Sequence, residues 1–524
     1  RVAHNKNVSA VSLPDAYEKT IHQWLTMAGA ERSPRSTFKP SHPELSRRAT
    51  LTALGLDEEL EGMDGVVLGE AIGKGGMATV HRGEQRALGR DIAIKVQNED
   101  ISSDAVTGVL HEAWLTGALE HPNIVPIHDL IVDGSAKPLV LMRRIEGTTW
   151  NRLIRDPDLL AERFEVRDPF EWHLRIFLQV CNAVDYAHSV GVVHRDIKPD
   201  NVMIGSHGEV YLLDWGIATA KRGPLADKLE KLATDALAGT PCYLAPEMLL
   251  GDTELIDERT DIYLLAATLF HVMVGKPPHP GTSVSEVLDN VANRDVTIPR
   301  SLPPELGDIF RRAMHRDPKE RPQTVRELRS EIETFLTHIS SNKLTDIASE
   351  TLSELCRRID ASDLNDTDQR AELYNLYTSC RSAFGSALHL WPESPTAQAG
   401  LHAATEAMIE AELEQGTARA AATLLAVLDA APDDLRTRVR AAVDSEEAKR
   451  ADIERLASKA ASMSRRHGAR TRSVLVFFMG MMFGAWAYLS KYRSIETMLV
   501  ADVAGLALCA VFYAVIRKYD MYSS

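Results

Sequence analysis

The sequence predicts an α+β fold, followed by an all-helical region and a pair of apolar helices. Three observations carry this expectation. Between Val66 and Leu213, short apolar runs bounded by turn residues, the pattern of strands, alternate with runs of helical period such as Phe170 to Ser189. From about residue 341 to 464 the apolar residues keep helical spacing. Two uncharged stretches follow, Ser473 to Leu489 and Thr497 to Ile516. The chain of 524 residues is long enough for several domains. The predicted divisions are 1–64, 65–337, 341–464 and 473–516.

Charge and cysteine content narrow the function classes. A net charge of −15 argues against nucleic acid as the main partner. The five cysteines, Cys181, Cys242, Cys356, Cys380 and Cys509, are scattered, odd in number and without metal-ligand spacing. They predict a reducing compartment and no disulfide framework. The chain starts with Arg1, which reads as a processed or truncated form, and shows no secretory leader.

Residues 1–64 read as peripheral. Arg32 to Pro43 is rich in Pro, Ser and basic residues, as in a flexible linker. Short helices fit Pro14 to Ala28 and Ala49 to Leu60, and the segment is either a solvated tail or a docking or autoregulatory element. Val66-Val-Leu68 starts a strand. The stretch Ile72-Gly-Lys-Gly-Gly-Met-Ala-Thr-Val80 follows, in which Gly73 and Gly75 let the backbone approach a phosphate with no Cβ in the way. Asp91-Ile-Ala-Ile-Lys-Val96 reads as a strand, and the helical pattern around Val109 to Trp114 turns Glu112 toward the sheet. Pro138 to Ile145 is another strand. Phe170 to Ser189 is a helix whose stripe Ile176, Val180, Ala183, Val184 and Ala187 faces a core.

The densest chemistry lies in Val192-Val-His-Arg-Asp-Ile-Lys-Pro-Asp-Asn-Val-Met-Ile204, continuing to Asp214-Trp-Gly216. Asp196 can accept a proton from an attacking hydroxyl. Lys198, two residues on in an extended loop, points to the same side. Asn201 and Asp214 offer hard oxygens of the kind Mg²⁺ prefers. The runs Asn201–Ile204 and Val210–Leu213 flank Ser206-His207-Gly208 and read as a hairpin that brings Asn201 and Asp214 together. Such a layout suits phosphoryl transfer, which needs positioning and charge neutralisation more than covalent chemistry.

These motifs resemble the catalytic loop (His194-Arg195-Asp196 through Asn201) and metal-binding turn (Asp214-Trp215-Gly216) of eukaryotic-type protein kinases. The resemblance implies a two-lobed kinase fold, ATP and Mg²⁺ as cofactors, and transfer of the γ-phosphoryl group to protein hydroxyls. It implies that Asp196 is the base, that Lys198 assists it, and that Lys95 and Glu112 form an ion pair positioning the phosphates. Asn201 and Asp214 are then the metal ligands. The implied nucleotide pocket comprises Ile72, Gly73, Lys74, Gly75, Gly76, Met77, Ala78, Val80, Ala93, Lys95, Met142, Arg144 and Met203. Met142 guards its back, Met203 forms its floor, and backbone groups near Arg143 to Ile145 meet the adenine edge. This sequence departs from the family pattern in four places. Trp215 stands where phenylalanine is usual, Ala78 replaces a third glycine, Arg143 replaces an acidic residue, and Ala266 stands, conservatively, where the family has a later glycine.

By the same resemblance, Asp214 to Glu247 is the activation segment, ending in Gly239-Thr-Pro-Cys-Tyr-Leu-Ala-Pro-Glu247. Thr240 is expected to bond toward Asp196 and Lys198, Glu247 to pair with Arg321, and Asp261 to anchor the backbone of the catalytic loop. Lys198 within His-Arg-Asp-Ile-Lys-Pro favours Ser/Thr over Tyr acceptors. Thr234 is the expected autophosphorylation site, opposite Arg195. The alternative is a catalytically weak or inactive nucleotide-binding scaffold that recruits partners through its helical region; intact Lys95, Glu112, Asp196, Asn201 and Asp214 weigh against it. A small-molecule kinase is disfavoured by the segment Gly239–Glu247.

Beyond residue 341 the stripe Leu373, Leu376, Cys380, Phe384, Ala387 and Leu388 gives one helix, and Gly400, Leu401, Ala404, Met408 and Ala411 a second. A third carries Ala420, Leu424 and Leu428. The region reads either as degenerate tetratricopeptide repeats or as a plain helical bundle, and its partners are proteins. Asp433 to Arg466, charged on most faces, is either one long exposed helix or a coiled coil. The two apolar stretches predict a transmembrane hairpin within 473–516. Arg465, Arg466, Arg470 and Arg472 before it and Arg517 and Lys518 after it put both ends in the cytosol. The expected protein is then a multi-pass membrane protein with two spans and a cytoplasmic kinase domain. A buried helical hairpin is the alternative, and Asp502 inside the second span is a functional candidate.

Overall fold

The computed structural model describes residues 65–491, apart from 75–77, 99–102, 134–136, 224–225, 227–237, 362–365 and 429, together with positions 503, 506, 507, 510 and 514. The chain divides into two compact units, residues 1–343 and 344–524.

The first unit begins with a five-stranded sheet in the order β1-β2-β3-β5-β4. Its strands are β1 (Val66–Lys74), β2 (Ala78–Gln85), β3 (Arg90–Gln97), β4 (Ile127–Val132) and β5 (Pro138–Arg143). All neighbours pair antiparallel. Because successive side chains alternate faces, β3 serves two surfaces. Ile92 and Ile94 turn one way and pack with Ile131, Leu139 and Leu141. Ala93 and Lys95 turn the other way. On that second face the register sets Val80 opposite both Gly73 and Lys95, and Met142 opposite Ala93. Helix α1 (Ser103–Gly117) lies on the sheet, packing Val109 and Ala113 against Val140.

The remainder of this unit is mainly helical around one large core. Helix α2 (Pro169–Ser189) starts at the Asp168 cap, which accepts from Glu171 N, with Pro169 in the first turn. Helix α3 (Glu258–Val274) is buried at every position from Thr260 to Val272, as expected of a helix in a domain centre rather than on its surface. Asp257 and Thr260 cap it reciprocally, and Gly275 ends it at φ +78°. Strand β6 (Gly147–Thr149) precedes α2, and between the two helices lie β7 (Val192–Val193), β8 (Val202–Gly205), β9 (Val210–Leu212) and β10 (Thr219–Ala220). The β8–β9 pairing is antiparallel, and β7 pairs with β10. Glu247 and Arg321 form a bidentate pair at 2.7 and 2.8 Å, with Arg321 also over the Tyr263 ring at 4.9 Å.

The boundary between the units falls within helix α4 (Val325–Ala361). In the second unit, α5 (Thr367–Leu390) and α6 (Pro395–Glu414) share a core of Leu373, Tyr377, Cys380, Phe384, Ala397, Ala404 and Met408. A Cβ at Gly400 would lie 2.2 Å from the Phe384 ring, so glycine is what admits that ring. Burial pushes the Cys380 thiol up to about 11, which suits an apolar filler. The short helix Ala418–Leu425 and the start of α7 (Asp433–Ser490) close over Ile409, Leu428, Leu435 and Val439.

The expected membrane hairpin is overturned. Among the described residues no helix is long and apolar enough to cross a membrane. Ser473–Leu489 is not a separate helix; it is the end of α7, continuous with the charged residues before it. Its uncharged run falls short of the roughly 20 residues that a bilayer core requires. The two-span placement, and the cytosolic assignment read from its flanking charges, fall with it. Most of 497–516, including Asp502, lies outside the described residues.

Candidate active site

The site is built outward from Asp261 on α3, which is fully buried. Its Oδ2 accepts from His194 N at 2.7 Å and its Oδ1 from Arg195 N at 2.9 Å. His188 Nε2 on α2 lies 2.8 Å from the same Oδ2. Thr268, two turns along α3, donates to Ile197 O at 3.0 Å. These contacts hold Arg195 at φ +70°, a conformation that a non-glycine residue keeps only when its surroundings enforce it.

The loop so held presents a closed hydrogen-bonded triangle. Lys198 Nζ donates to Asp196 Oδ2 at 2.8 Å and to Thr240 Oγ1 at 2.8 Å, and Thr240 Oγ1 donates to Asp196 Oδ1 at 2.6 Å. Asn201 Nδ2 donates to Asp196 O at 2.8 Å and to Asp196 Oδ2 at 3.1 Å. His194 is neutral and its tautomer is fixed. Asp196 N donates to Nδ1 at 3.2 Å, so Nε2 carries the proton facing Leu213 O at 3.2 Å. Burial holds this imidazole below its usual range, against the pull of the Asp261, Asp196 and Asp214 carboxylates. Its ring lies 4.4 Å from that of Trp215, which is fully buried and whose Nε1 has no hydrogen-bond partner among the described residues.

Across the cleft, Lys95 Nζ contacts Glu112 at 2.5 and 2.7 Å and lies 4.0 Å from Asp214 Oδ1. Burial works to lower the Lys95 ammonium, but the Glu112 and Asp214 charges outweigh it and hold the group above its usual range. Of the implied pocket residues, Gly73, Ala78, Val80, Ala93, Lys95 and Met142 share the sheet face described above. Ile72 and Lys74 lie on β1, with Ile72 half exposed, and Met203 lies on β8 opposite Tyr211. Gly75, Gly76 and Met77 lie outside the described residues. Arg144 pairs with Asp91 at 2.6 Å and Glu146 at 2.9 Å, and Arg143 lies over the Tyr211 ring at 5.5 Å. The two arginines thus have partners of their own at the pocket edge.

The donor set fits Mg²⁺. Asn201 spends its NH₂ on Asp196, so its Oδ1 remains as a hard acceptor beside Asp214. Among the described residues no cluster of three or more His, Cys, Asp or Glu could hold a metal. Two hard protein oxygens suit an ion whose other ligands are phosphates and water.

Two contacts have no sequence signal. Arg195, buried and pushed down to about 10 by desolvation, donates to Thr219 Oγ1 at 3.0 Å. His188 joins the Asp261 anchor although it stands outside the apolar stripe of its helix. The expected phosphate acceptor, Thr234, lies outside the described residues.

The protein kinase domain family matches residues 66–332. The chain is 33% identical over 295 residues to the serine/threonine-protein kinase PknD of Chlamydia trachomatis, covering 51% of this chain and 31% of that protein. It is 32% identical over 278 residues to the serine/threonine-protein kinase PknB of Mycolicibacterium smegmatis, covering 51% and 42%. With the probable serine/threonine-protein kinase PknB of Bifidobacterium longum it shares 31% identity over 300 residues, covering 54% and 42%. The chain thus matches less than half the length of these curated relatives. With the matched residues spanning half the chain and enclosing the whole cleft, the chain belongs to the protein kinase family.

Proposed function

We propose that this chain is an ATP-dependent protein serine/threonine kinase of bacterial type. The observation that carries the reading is the Asp196–Lys198–Thr240 triangle facing the Lys95–Glu112 pair. An incoming hydroxyl takes the place of one donor on Asp196, which orients it and accepts its proton as the bond to phosphorus forms. Lys198 lies where it offsets the negative charge of the group in transfer. Lys95, fixed by Glu112, and the glycine strand opposite Val80 position the nucleotide phosphates, with Met142 and Met203 bounding the base. Mg²⁺, held by Asn201 and Asp214, would neutralise phosphate charge. The acceptors are protein Ser and Thr side chains; Thr240 and the segment to Glu247 support this, since they are built to receive a polypeptide.

The second unit reads as a plain helical bundle that meets other proteins. Its α5 and α6 run 24 and 20 residues, too long for a 34-residue tetratricopeptide unit. An inactive scaffold is disfavoured because no element of the triangle or the ion pair is missing.

The test is transfer of labelled γ-phosphate to a generic basic protein acceptor. Asp196→Asn is expected to lower kcat by about 10²- to 10⁴-fold while leaving nucleotide affinity nearly intact. A variant as fast as the parent overturns the proposal.

A further inference from the structure

In the first unit the chain passes from the five-stranded sheet to the helical part through Arg144–Glu146, since β5 ends at Arg143 and β6 starts at Gly147. The far end of this crossing is pressed onto the helical part. Ser206 N donates to Glu146 O at 2.8 Å, and a Cβ on Gly147 would collide with Ile204 O. At the near end, two consecutive arginines reach in different directions. Arg144 stays with the sheet. Ile92 on β3 stands opposite Arg143, so Asp91 comes beside Arg144, and the two ions meet at 2.6 Å. The same Asp91 oxygen accepts from Arg82 Nη2 at 2.8 Å, and Arg144 also meets Glu146 at 2.9 Å. Arg143, itself exposed, lays its guanidinium 5.5 Å over the ring of Tyr211 on β9. Tyr211 is 5% exposed and lies directly opposite Met203, on the same face of their strand pair.

We infer that Arg143 and Arg144 are positioning residues for the nucleotide: together they brace the crossing and fix the gap between Met142 and Met203. The inference rests on the function proposed above, in which those two methionines bound the base. Arg143 follows Met142 directly, and Tyr211 pairs with Met203, so the contact between guanidinium and ring joins the two sides of the pocket. Bending the crossing open would draw Tyr211 away from the guanidinium, while the Asp91 pair keeps Arg144 with the sheet. The crossing therefore cannot open without losing one contact or the other. The brace also lies outside the core, with the Asp91 and Glu146 side chains 43% and 69% exposed. Its loss changes how the two parts meet and spares how each is packed.

Titration of the full chain with a fluorescent ADP analogue and Mg²⁺ reads the effect. Arg143→Gln is expected to weaken binding about two- to fivefold, the scale of an exposed cation over a ring. Arg143→Lys, which keeps a cation there, is expected to restore most of it. Tyr211→Leu should weaken binding by a similar factor, and in the double variant with Arg143→Gln the two losses should not add. Asp91→Asn should act in the same direction through Arg144. The KM for the protein acceptor at saturating ATP is expected to stay where it is in the parent, whereas a general loosening of the fold would raise it too. A parent chain that binds no nucleotide overturns the proposed function and the brace together. Normal binding by the parent with equal binding by Arg143→Gln, or additive losses in the double variant, overturns the brace alone.

Discussion

Glu112 shows how much one side chain can be asked to do. Its two oxygens grip Lys95 at 2.5 and 2.7 Å, and its charge is the main influence keeping that ammonium above its usual range against burial. Glu112→Gln keeps the shape and removes the charge. It is expected to lower kcat/KM for ATP by about a hundredfold, the scale of a misplaced reacting group; steady-state kinetics checks this. Both residues stand out in the sequence, because a lysine within an apolar strand and a glutamate on the buried side of a helix each require a partner. Their meeting depends on where α1 lies on the sheet, which spacing alone does not give. Thr219 is the opposite case. A threonine after the metal-binding turn carries no distinguishing mark, and its role as the hydrogen-bond partner of Arg195 follows only from the β7–β10 pairing.

At the scale of an element, α3 is the frame of the site. It carries Asp261 and Thr268 toward the catalytic loop and Tyr263 toward His279. The Tyr263 hydroxyl is held well above its usual range by burial, so it donates, and His279 Nε2 accepts at 2.7 Å. Burial pushes His279 down to about 3, and on α2 it pushes His173, which accepts from Trp150 Nε1, down to about 4. Both are neutral in the folded protein and protonate near 6.5 when unfolded. The unfolded chain therefore binds more protons below that pH, and stability falls on acidification. The loss is about 1.4 kcal/mol per pH unit for each group, through the window from 6.5 down to about 4. Calorimetry at pH 7 and pH 5 should show a fall in Tm that His279→Gln, which retains an acceptor for Tyr263, partly removes. The stripe on α2 was readable from its period, but α3 is buried on all sides and offers no stripe; its central position follows only from what packs around it.

At the scale of the molecule, the described catalytic contacts lie within residues 1–343, and the second unit has cores of its own. A chain ending after Ala361, which keeps α4 whole, is therefore expected to retain kcat/KM in the acceptor assay; a loss would show that the helical unit supports the site. The division into a mixed unit and a helical unit was legible because the strand pattern stops while the helical period continues. The membrane reading failed because composition was considered without continuity. An uncharged run predicts a span only if it stands as a helix of sufficient length, and here it is the tail of a longer one.

The burial of Trp215 bears on ligand discrimination. Turning that residue out of its place beside His194 would bring a large apolar ring into water, at a cost of about 1.5–3 kcal/mol for a side chain of this class, eased slightly by hydration of its indole N–H. A conformer with that penalty is a minor one. Any inhibitor that binds only the turned-out form loses apparent affinity in proportion to its population, whereas one that fits the cleft as it stands loses nothing. Trp215→Phe, with its smaller ring, narrows the gap, so the ratio of the two affinities measures how firmly this turn is held.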